Sequence, residues 1–361
     1  MSSQSRRSAS NPDNKDVVIS LEDLEVHFNN KGGLFSDPER VRAVDGVNLD
    51  IPESEVIVLV GESGCGKTTL GKTAIGLQRP TGGSVKYRGQ DIWDARLGRG
   101  EIPYKRIRRA LQIIHQDPGS SLNPNRKIRL SLEEPLKRWQ SNLTKDDRTE
   151  RILHMLERVG MTPPHDYAER YPFQLSGGEK QRVALIRALM MNPELILADE
   201  AISALDVSLR VEMMDLMLEL QDEFDTSYLF ISHDLSNARY ISTQADGLIG
   251  IMYLGEIVEI GPPEQIIHNP QHPYTAALKW ATPTLRELHE AKGDMPLRGI
   301  DIPDPINPPS GCRFHTRCPE ARKVCTQESP TLRSVDQNGH ESACFRTIES
   351  HSYWDSESLG E

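Results

Sequence analysis

Gly61-Glu-Ser-Gly-Cys-Gly-Lys-Thr68 sets three glycines, a lysine and a threonine at the spacing G-x-x-x-x-G-K-[ST]. Gly61, Gly64 and Gly66 let a backbone close around phosphate and aim N–H groups at its oxygens. Lys67 adds a mobile positive charge, and Thr68 adds a hydroxyl suited to Mg2+. Glu62, Ser63, Cys65 and Thr69 complete the predicted nucleotide-contacting stretch. A helix opening near Lys67 would contribute the partial positive charge of its N terminus. Further along, Asp199 ends the apolar run Leu195-Ile-Leu-Ala198, which reads as a buried strand. A carboxylate there reaches the ligand-binding edge of a sheet and can hold Mg2+. Glu200, next in the chain, is placed to act as general base towards an attacking water. His233 follows a second strand-like run, Tyr228-Leu-Phe-Ile231, and arrives at the same edge. Ser176-Gly-Gly178 is a second anion trap, built from a hydroxyl, two glycines and a helix N terminus.

The elements that must position these groups are legible in outline. Val17–Ser20, Leu24–Phe28 and Val56–Val60 read as strands, with a Gly/Asn/Asp-rich loop from Asn29 to Arg40. Strand, loop and helix in that order are the context the phosphate loop requires. More than about 130 residues separate Lys67 from Asp199, which predicts an inserted, mostly helical subdomain at roughly 117–182. Ile152, Leu153, Leu156 and Val159 place a helix over 144–160. A second helix starts at the Ser176 glycines and runs to Met191, where Pro193 stops it; a third spans Leu209 to Phe224. Beyond about residue 265 prolines punctuate a short helix, Tyr274–Ala281, and Ile302–Pro309 reads as extended linker.

Composition narrows the function classes. The chain has 361 residues and a formal net charge of −11, which argues against a mainly electrostatic nucleic-acid binder. No apolar run approaches the length of a membrane span. Residues 1–18 are expected to be a disordered start without an export signal, which points to the cytoplasm. Cys312, Cys318, Cys325 and Cys344 crowd together at spacing C-x5-C-x6-C-x18-C, which in such a compartment suggests a metal site before a disulfide framework. Four thiolates suit a [4Fe–4S] cluster or zinc, and close C-x2–4-C zinc pairs are missing. His315 and His340 are expected to face solvent.

Taken in order, the phosphate loop, Leu175-Ser-Gly-Gly178, Leu195–Glu200, Ser203-Ala-Leu-Asp206 and Ser232-His233 resemble the ATP-binding cassette (ABC) ATPases. The resemblance implies an α/β fold: an ABC-type P-loop NTPase core with a β-rich N-terminal part, a helical insertion and a C-terminal extension. It implies ATP and Mg2+ as cofactors, with Thr68, Gln116 and Asp199 near the metal. Glu200, His233 and Gln116, the last in Ile114-His-Gln-Asp-Pro118, would then be the hydrolytic residues. Ser176, Gly177 and Gly178 would cap ATP held by another subunit, with Asp206 coupling the two sites. Phe28, with His27 as rival, would stack on adenine. The chain departs from the commonest pattern at Glu179, Ala201 and Ser54. A soluble ABC ATPase of DNA repair or translation, and a phosphate-loop kinase or GTPase, are the rival classes. The chain carries neither long coiled coils nor a second cassette, and Ser-Gly-Gly counts against a kinase.

Gln116–Pro124, Asn269–Thr275 and the segment from Pro309 through Cys325 are similar to the oligopeptide/dipeptide importer ATPases. The similarity spans roughly residues 19–347. It implies an ABC domain over 19–265 and an extension over 266–361, with a metal-binding module near 309–346 that holds [4Fe–4S] in relatives. It also implies partners: a second homologous ATPase as heterodimer, two transmembrane permease subunits and an extracellular solute-binding protein. The chain would then sit on the cytoplasmic face of the membrane. Some relatives import nickel or other small solutes, so the cargo stays open.

Overall fold

The computed structural model describes residues 16–30, 39–282 and 295–360. The first layer is antiparallel. It comprises β1 (Val17–Asn30), β2 (Glu39–Pro52), then, beyond β3 (Val56–Val60), β4 (Gly82–Tyr87) and β5 (Gln90–Asp91), in the order β2-β1-β4-β5. Val17 and Val18 already belong to β1, while residues 1–15 and 31–38, expected to be a disordered start and part of a loop, lie outside the described residues. Register shifts between Leu21 and His27 bend β1, so that Val26 pairs with Val44 and Phe28 with Val41.

The second layer carries the chemistry. Its strands are β3, β6 (Leu111–Ile114), β7 (Leu195–Asp199), β8 (Ser227–Ser232), β9 (Leu248–Tyr253), β10 (Glu256–Gly261), β11 (Arg333–Ser334) and β12 (Glu341–Ser342), in the order β11-β12-β10-β9-β3-β8-β7-β6. From β9 to β6 the strands are parallel, which brings their C-terminal ends to one edge. β3, β7 and β8 are buried at every residue, so they appear in sequence as unbroken apolar runs. Ile57, Leu59, Leu197 and Ile231 form one core with the antiparallel layer and α1 (Lys67–Ala74). Val58, Ile196, Ala198 and Phe230 face a second core on the other side.

Two short helices, α2 (Ile92–Arg96) and α3 (Tyr104–Ala110), lead into β6. Three more, α4 (Ile128–Trp139), α5 (Lys145–Arg158) and α6 (Pro164–Glu169), lie between β6 and α7 (Gly177–Leu189). In α5 the buried residues are Ile152, Met155 and Leu156, and Thr144 caps its start through a reciprocal bond with Asp147. α7 stops earlier than Pro193 suggests: Leu189 is its last residue, and Asn192 turns the chain at φ 50. α8 (Val207–Glu223) and α9 (Leu235–Ala245) cover the same face.

The C-terminal part, with α10 (Pro263–His268), α11 (Pro273–Ala281) and α12 (Lys323–Gln327), is welded to the core. Residues 302–309 carry neither helix nor strand. β12 pairs with β10, so the sheet runs across the boundary expected near residue 265. Phe314 is buried against Tyr253, Tyr274 and His272. His340 does not face solvent as expected. It is fully buried, and its Nε2 lies 2.7 Å from Glu259 Oε1, a carboxylate that also accepts the backbone N–H of Gln271 and His272. The strand pairing of the adjacent Glu341 draws His340 inside, a long-range contact that local composition does not encode.

Candidate active site

The phosphate loop joins β3 to α1, as its spacing requires. Gly66 sits at φ 109, and a Cβ there would stand 1.9 Å from the Ala43 carbonyl oxygen, so only glycine fits. Gly66 is also the residue before α1, and no side chain caps the helix start. Its first N–H groups therefore face the loop's own concavity, where an anion is the natural partner. Lys67 is 5% exposed, and its Nζ donates to the carbonyl oxygens of Gly61 at 2.8 Å and Glu62 at 2.9 Å. A phosphate oxygen is a stronger, charged acceptor for the same ammonium. Burial raises the Cys65 thiol, against the pull of the nearby Lys67, so Cys65 stays a packing residue.

Two clusters meet where β7 ends. In one, Thr68 Oγ1 donates to Asp199 Oδ1 at 2.8 Å, and Lys72 Nζ lies 3.8 Å from Asp199 Oδ2. A hydroxyl and a carboxylate oxygen so placed form an oxygen donor set of the kind Mg2+ takes. In the other, Gln116 Nε2 donates to Glu200 Oε2 at 2.9 Å, and His233 Nδ1 stands 3.9 Å from that oxygen. Glu200 has φ 49, a left-handed conformation uncommon for a residue with a side chain. The kink breaks the alternation of the strand, so that Asp199 and Glu200 both serve this edge. It is held by the Glu200 N–H, which donates to the Ile231 carbonyl at 3.2 Å, and by Ser203 Oγ, which donates to the Glu200 carbonyl at 2.8 Å. Backbone strain of this kind concentrates at functional sites.

Other predicted residues stand apart from this cluster. Ser176 begins α7 and forms a capping box: its Oγ accepts the Glu179 N–H at 3.2 Å, and Glu179 Oε2 accepts the Ser176 N–H at 2.7 Å. The Tyr167 hydroxyl donates to Glu179 Oε1 at 2.8 Å. Burial opposes the Glu179 charge, but the bonds from Ser176 and Tyr167 outweigh it and hold the carboxyl below its usual range. Glu179 thus replaces a common glutamine without losing the cap. Gly177 is exposed, with open space where a side chain would be. Asp206 is exposed at the start of α8, beside the exposed apolar side chains of Val207, Leu209 and Val211. Of the two adenine-stacking rivals, Phe28 is exposed, whereas the His27 ring is buried with Nε2 2.8 Å from Asp45 Oδ1.

Cys312, Cys318, Cys325 and Cys344 line one small cavity together with Phe314, Phe345 and Tyr353. Burial raises all four thiols, Cys318 to about 12 and Cys344 to about 11, and for these two and Cys312 neighbouring sulfurs add to the effect. Four sulfurs turned into one apolar space fit a thiophilic cation, which would offset thiolate charge that is unfavourable there. Among the described residues, no three of these sulfurs lie within 4.8 Å of one another. His315 lines the same cavity, with its Nδ1 2.9 Å from the Cys312 carbonyl oxygen.

With this geometry in place, comparison with known proteins decides the family. The ABC transporter family model matches residues 44–203, and the model for the oligopeptide/dipeptide transporter C-terminal region matches 258–325. The oligopeptide transport ATP-binding protein AppF of Bacillus subtilis is 42% identical over 323 residues, covering 89% of this chain and 95% of AppF. The dipeptide transport ATP-binding protein DppF of Escherichia coli is 42% identical over 90% of this chain and 92% of its own. The chain belongs to the oligopeptide/dipeptide branch of the ABC transporter ATPases. Among solved structures, the ABC cassette MJ0796, a dimer bound to ADP and Pi, aligns with TM-score 0.55 at 28% identity, over 66% of this chain and 96% of the cassette. CbiO1 of Clostridium perfringens aligns with TM-score 0.58 at 24% identity, over 73% of this chain and 96% of CbiO1, and so speaks for the fold. This ABC protein is therefore an ATP-hydrolysing enzyme. Among its described residues no helix is long and apolar enough to cross a membrane.

Sequence reasoning missed four side chains around the loop: Lys72, Tyr274, Arg313 and Arg317. Lys72 lies one turn beyond Thr68, a position a helical projection could have offered. The other three come from segments more than 200 residues away; the family likeness marks those segments, but nothing local ties these side chains to the loop.

Proposed function

We propose that this chain energises an importer of oligopeptides or dipeptides, as one of two different paired ATPases beneath two permease subunits. The observation that carries the reading is the split of its catalytic groups. Lys67, Thr68, Asp199, Glu200, Gln116 and His233 gather at one sheet edge, whereas Ser176 is bonded to Glu179 at the start of α7 and the exposed Gly177 meets open space. On this proposal one chain supplies half of each of two sites, and a second cassette completes them. The exposed apolar start of α8 beside Asp206 is suited to such a partner. The peptide cargo rests on the C-terminal family match and on the names of AppF and DppF.

In this reading the loop amides and Lys67 hold the β- and γ-phosphates, and Phe28 stacks on the adenine. Thr68, Asp199 and Gln116 would hold Mg2+, which would neutralise developing phosphate charge. Glu200 accepts the proton of the attacking water while Gln116 and His233 orient both. The protein would sit on the cytoplasmic face of the membrane, bound through the permeases, with a solute-binding protein delivering cargo outside. In the same reading the ATPase part spans 19–265 and the extension 266–361, with the extension adding β12 to the ATPase sheet. Cys312, Cys318, Cys325 and Cys344 would hold a [4Fe–4S] cluster. Zinc, with bonds of about 2.3 Å, would draw the sulfurs closer together than they stand here.

The test is reconstitution. Tagged chain from the native membrane should copurify with two multi-span proteins and a second ATPase. In proteoliposomes with the binding protein, peptides should stimulate ATP hydrolysis and enter the lumen. Stimulation by nickel or sugars but not by peptides would reject the cargo assignment.

A further inference from the structure

The cysteine module reaches the phosphate loop directly. Arg317, next to Cys318, is 4% exposed and makes a two-pronged pair with Glu62 of the loop, Nη1 to Oε2 and Nη2 to Oε1, both at 2.9 Å. Its guanidinium also stands 5.7 Å from the Tyr253 and Phe314 ring centres. On the other side of Glu62, the Tyr274 hydroxyl accepts the Glu62 backbone N–H at 2.9 Å. The Glu62 carbonyl oxygen accepts Lys67 Nζ at 2.9 Å. Glu62 is thus held by its carboxylate, its N–H and its carbonyl, and the partners of the carboxylate and the N–H come from the C-terminal part, whereas Lys67 and the Cys65 N–H of the loop itself hold the carbonyl. Arg313, next to Cys312, pairs with Asp45 and Glu256 and donates to the Leu254 carbonyl. That contact braces the turn in which the Gly255 N–H donates to the Cys65 carbonyl at 2.9 Å.

We infer that Arg317 and Tyr274 are positioning residues for ATP binding: through Glu62 they hold the phosphate loop in its anion-binding shape, making the cysteine module a structural part of the nucleotide site. A bidentate Arg–carboxylate pair fixes direction as well as distance, which a lysine cannot reproduce. The inference rests on the reading of Gly61–Thr68 as the ATP site.

The experiment titrates the full-length chain with mant-ATP and Mg2+ and compares Arg317→Gln, Arg317→Lys, Glu62→Gln, Tyr274→Phe, Arg322→Gln and Lys67→Ala. Arg317→Gln should raise Kd between about 2- and 30-fold, the range for coupling through a packed network. Arg317→Lys should recover part of the loss. Arg317→Gln combined with Glu62→Gln should be no worse than the weaker-binding single variant. In the partnered enzyme KM for ATP should rise while kcat at saturation holds. Arg322→Gln removes bonds to the carbonyls of Tyr353, Trp354 and Ser356, inside the module, and should leave Kd unchanged. If Arg317→Gln does not fold, Tyr274→Phe, which loses one hydroxyl, still tests the contact and should weaken binding. Unchanged Kd in Arg317→Gln or Tyr274→Phe, additive losses in the double variant, or equal loss in Arg322→Gln would overturn the inference. Wild type that binds no mant-ATP would overturn the nucleotide-site reading and this one with it. Wild type that binds, with Lys67→Ala weakened and Arg317→Gln unchanged, rejects this inference alone.

Discussion

Glu200→Gln isolates the chemical step from binding. The exchange keeps length and shape, and the new amide oxygen still accepts from Gln116 Nε2, now 2.9 Å from Glu200 Oε2. The left-handed backbone at φ 49 and the Ile231 and Ser203 bonds do not involve the side-chain charge, so the fold survives. What disappears is the proton acceptor. General-base catalysis is worth roughly 10²–10⁴ in rate, or about 2.7–5.4 kcal/mol of barrier at 1.36 kcal/mol per tenfold. Lys67, the loop amides and the Thr68–Asp199 pair are untouched, so ATP affinity should move by less than about threefold. The assay is phosphate release by the partnered enzyme at saturating Mg-ATP, with mant-ATP titration in parallel. Light scattering should also detect an ATP-held pair of cassettes, because contacts persist while release stops. Turnover within tenfold of wild type would refute Glu200 as the base. A parallel loss of affinity would refute the separation of binding from chemistry.

Other outcomes follow from different parts of the chain. Lys67→Ala should lose nucleotide binding itself, by tenfold or more in the same titration, because a charge-assisted contact to phosphate goes. Purified alone, the chain should be mostly monomeric with low ATPase activity; robust turnover independent of concentration would count against pairing with a different ATPase. His272 is buried, which lowers its imidazole to about 4, while its neutral Nδ1 accepts the Tyr274 N–H at 3.1 Å. The unfolded chain takes up that proton from about pH 6.5 downwards and the folded chain only near 4, so stability falls as pH drops through this window, by about 3 kcal/mol in all. His272→Asn retains a capping acceptor and should flatten the acid side of the urea-unfolding profile. Anaerobic protein should be brown with roughly four irons per chain, and Cys318→Ser should lower that content; about one zinc in a colourless protein would reject the cluster.

The sheet and the hydrolytic edge were legible because their signals are local. Val56–Val60, Leu195–Asp199 and Ser227–Ser232 are buried on both faces, so each reads as an apolar run that ends in, or just before, a functional residue: Gly61, Asp199 and His233. The motif spacing then fixes which strand feeds which loop. The kink at Glu200 was not legible, since a left-handed glutamate carries no composition signal; only the demand that neighbours share an edge hints at it. α7 ended before its proline because Asn192, itself suited to positive φ, turns the chain first. His340 and Arg317 defeated local reasoning for another reason. Neither lies in an apolar run, and each pairs inside the fold with a carboxylate far away in sequence, Glu259 and Glu62. Such pairs are properties of the packed fold and leave no periodicity behind.

The packing of the cysteine module decides how far its fold depends on a bound metal. Below about 40 residues a unit lacks core enough to stand alone. Yet Phe314, Cys318 and Ala321 belong to the main core of the ATPase, whereas Val324, Cys325, Phe345 and Tyr353 form a separate small cluster. Burying a phenylalanine such as Phe314 contributes about 1.5–3 kcal/mol, and Arg313 and Arg317 add buried ion pairs on the same side. The inner segment is therefore anchored by the ATPase itself. Beyond it, His340–Ser342 are held by Glu259 and by the β12–β10 pairing, whereas the small cluster rests on its four side chains and on Arg322, which donates to the carbonyls of Tyr353, Trp354 and Ser356. Loss of a bound metal should consequently loosen the stretches around Val324 and around Phe345–Tyr353 first and leave 312–317 and the β12 strand docked. Hydrogen exchange on Cys318→Ser decides this: protection should fall around Val324 and Tyr353 while the Phe314 region keeps it. Uniform loss across both segments would mean that the metal, and not the aromatic contact with Tyr253 and Tyr274, seats the module on the phosphate loop.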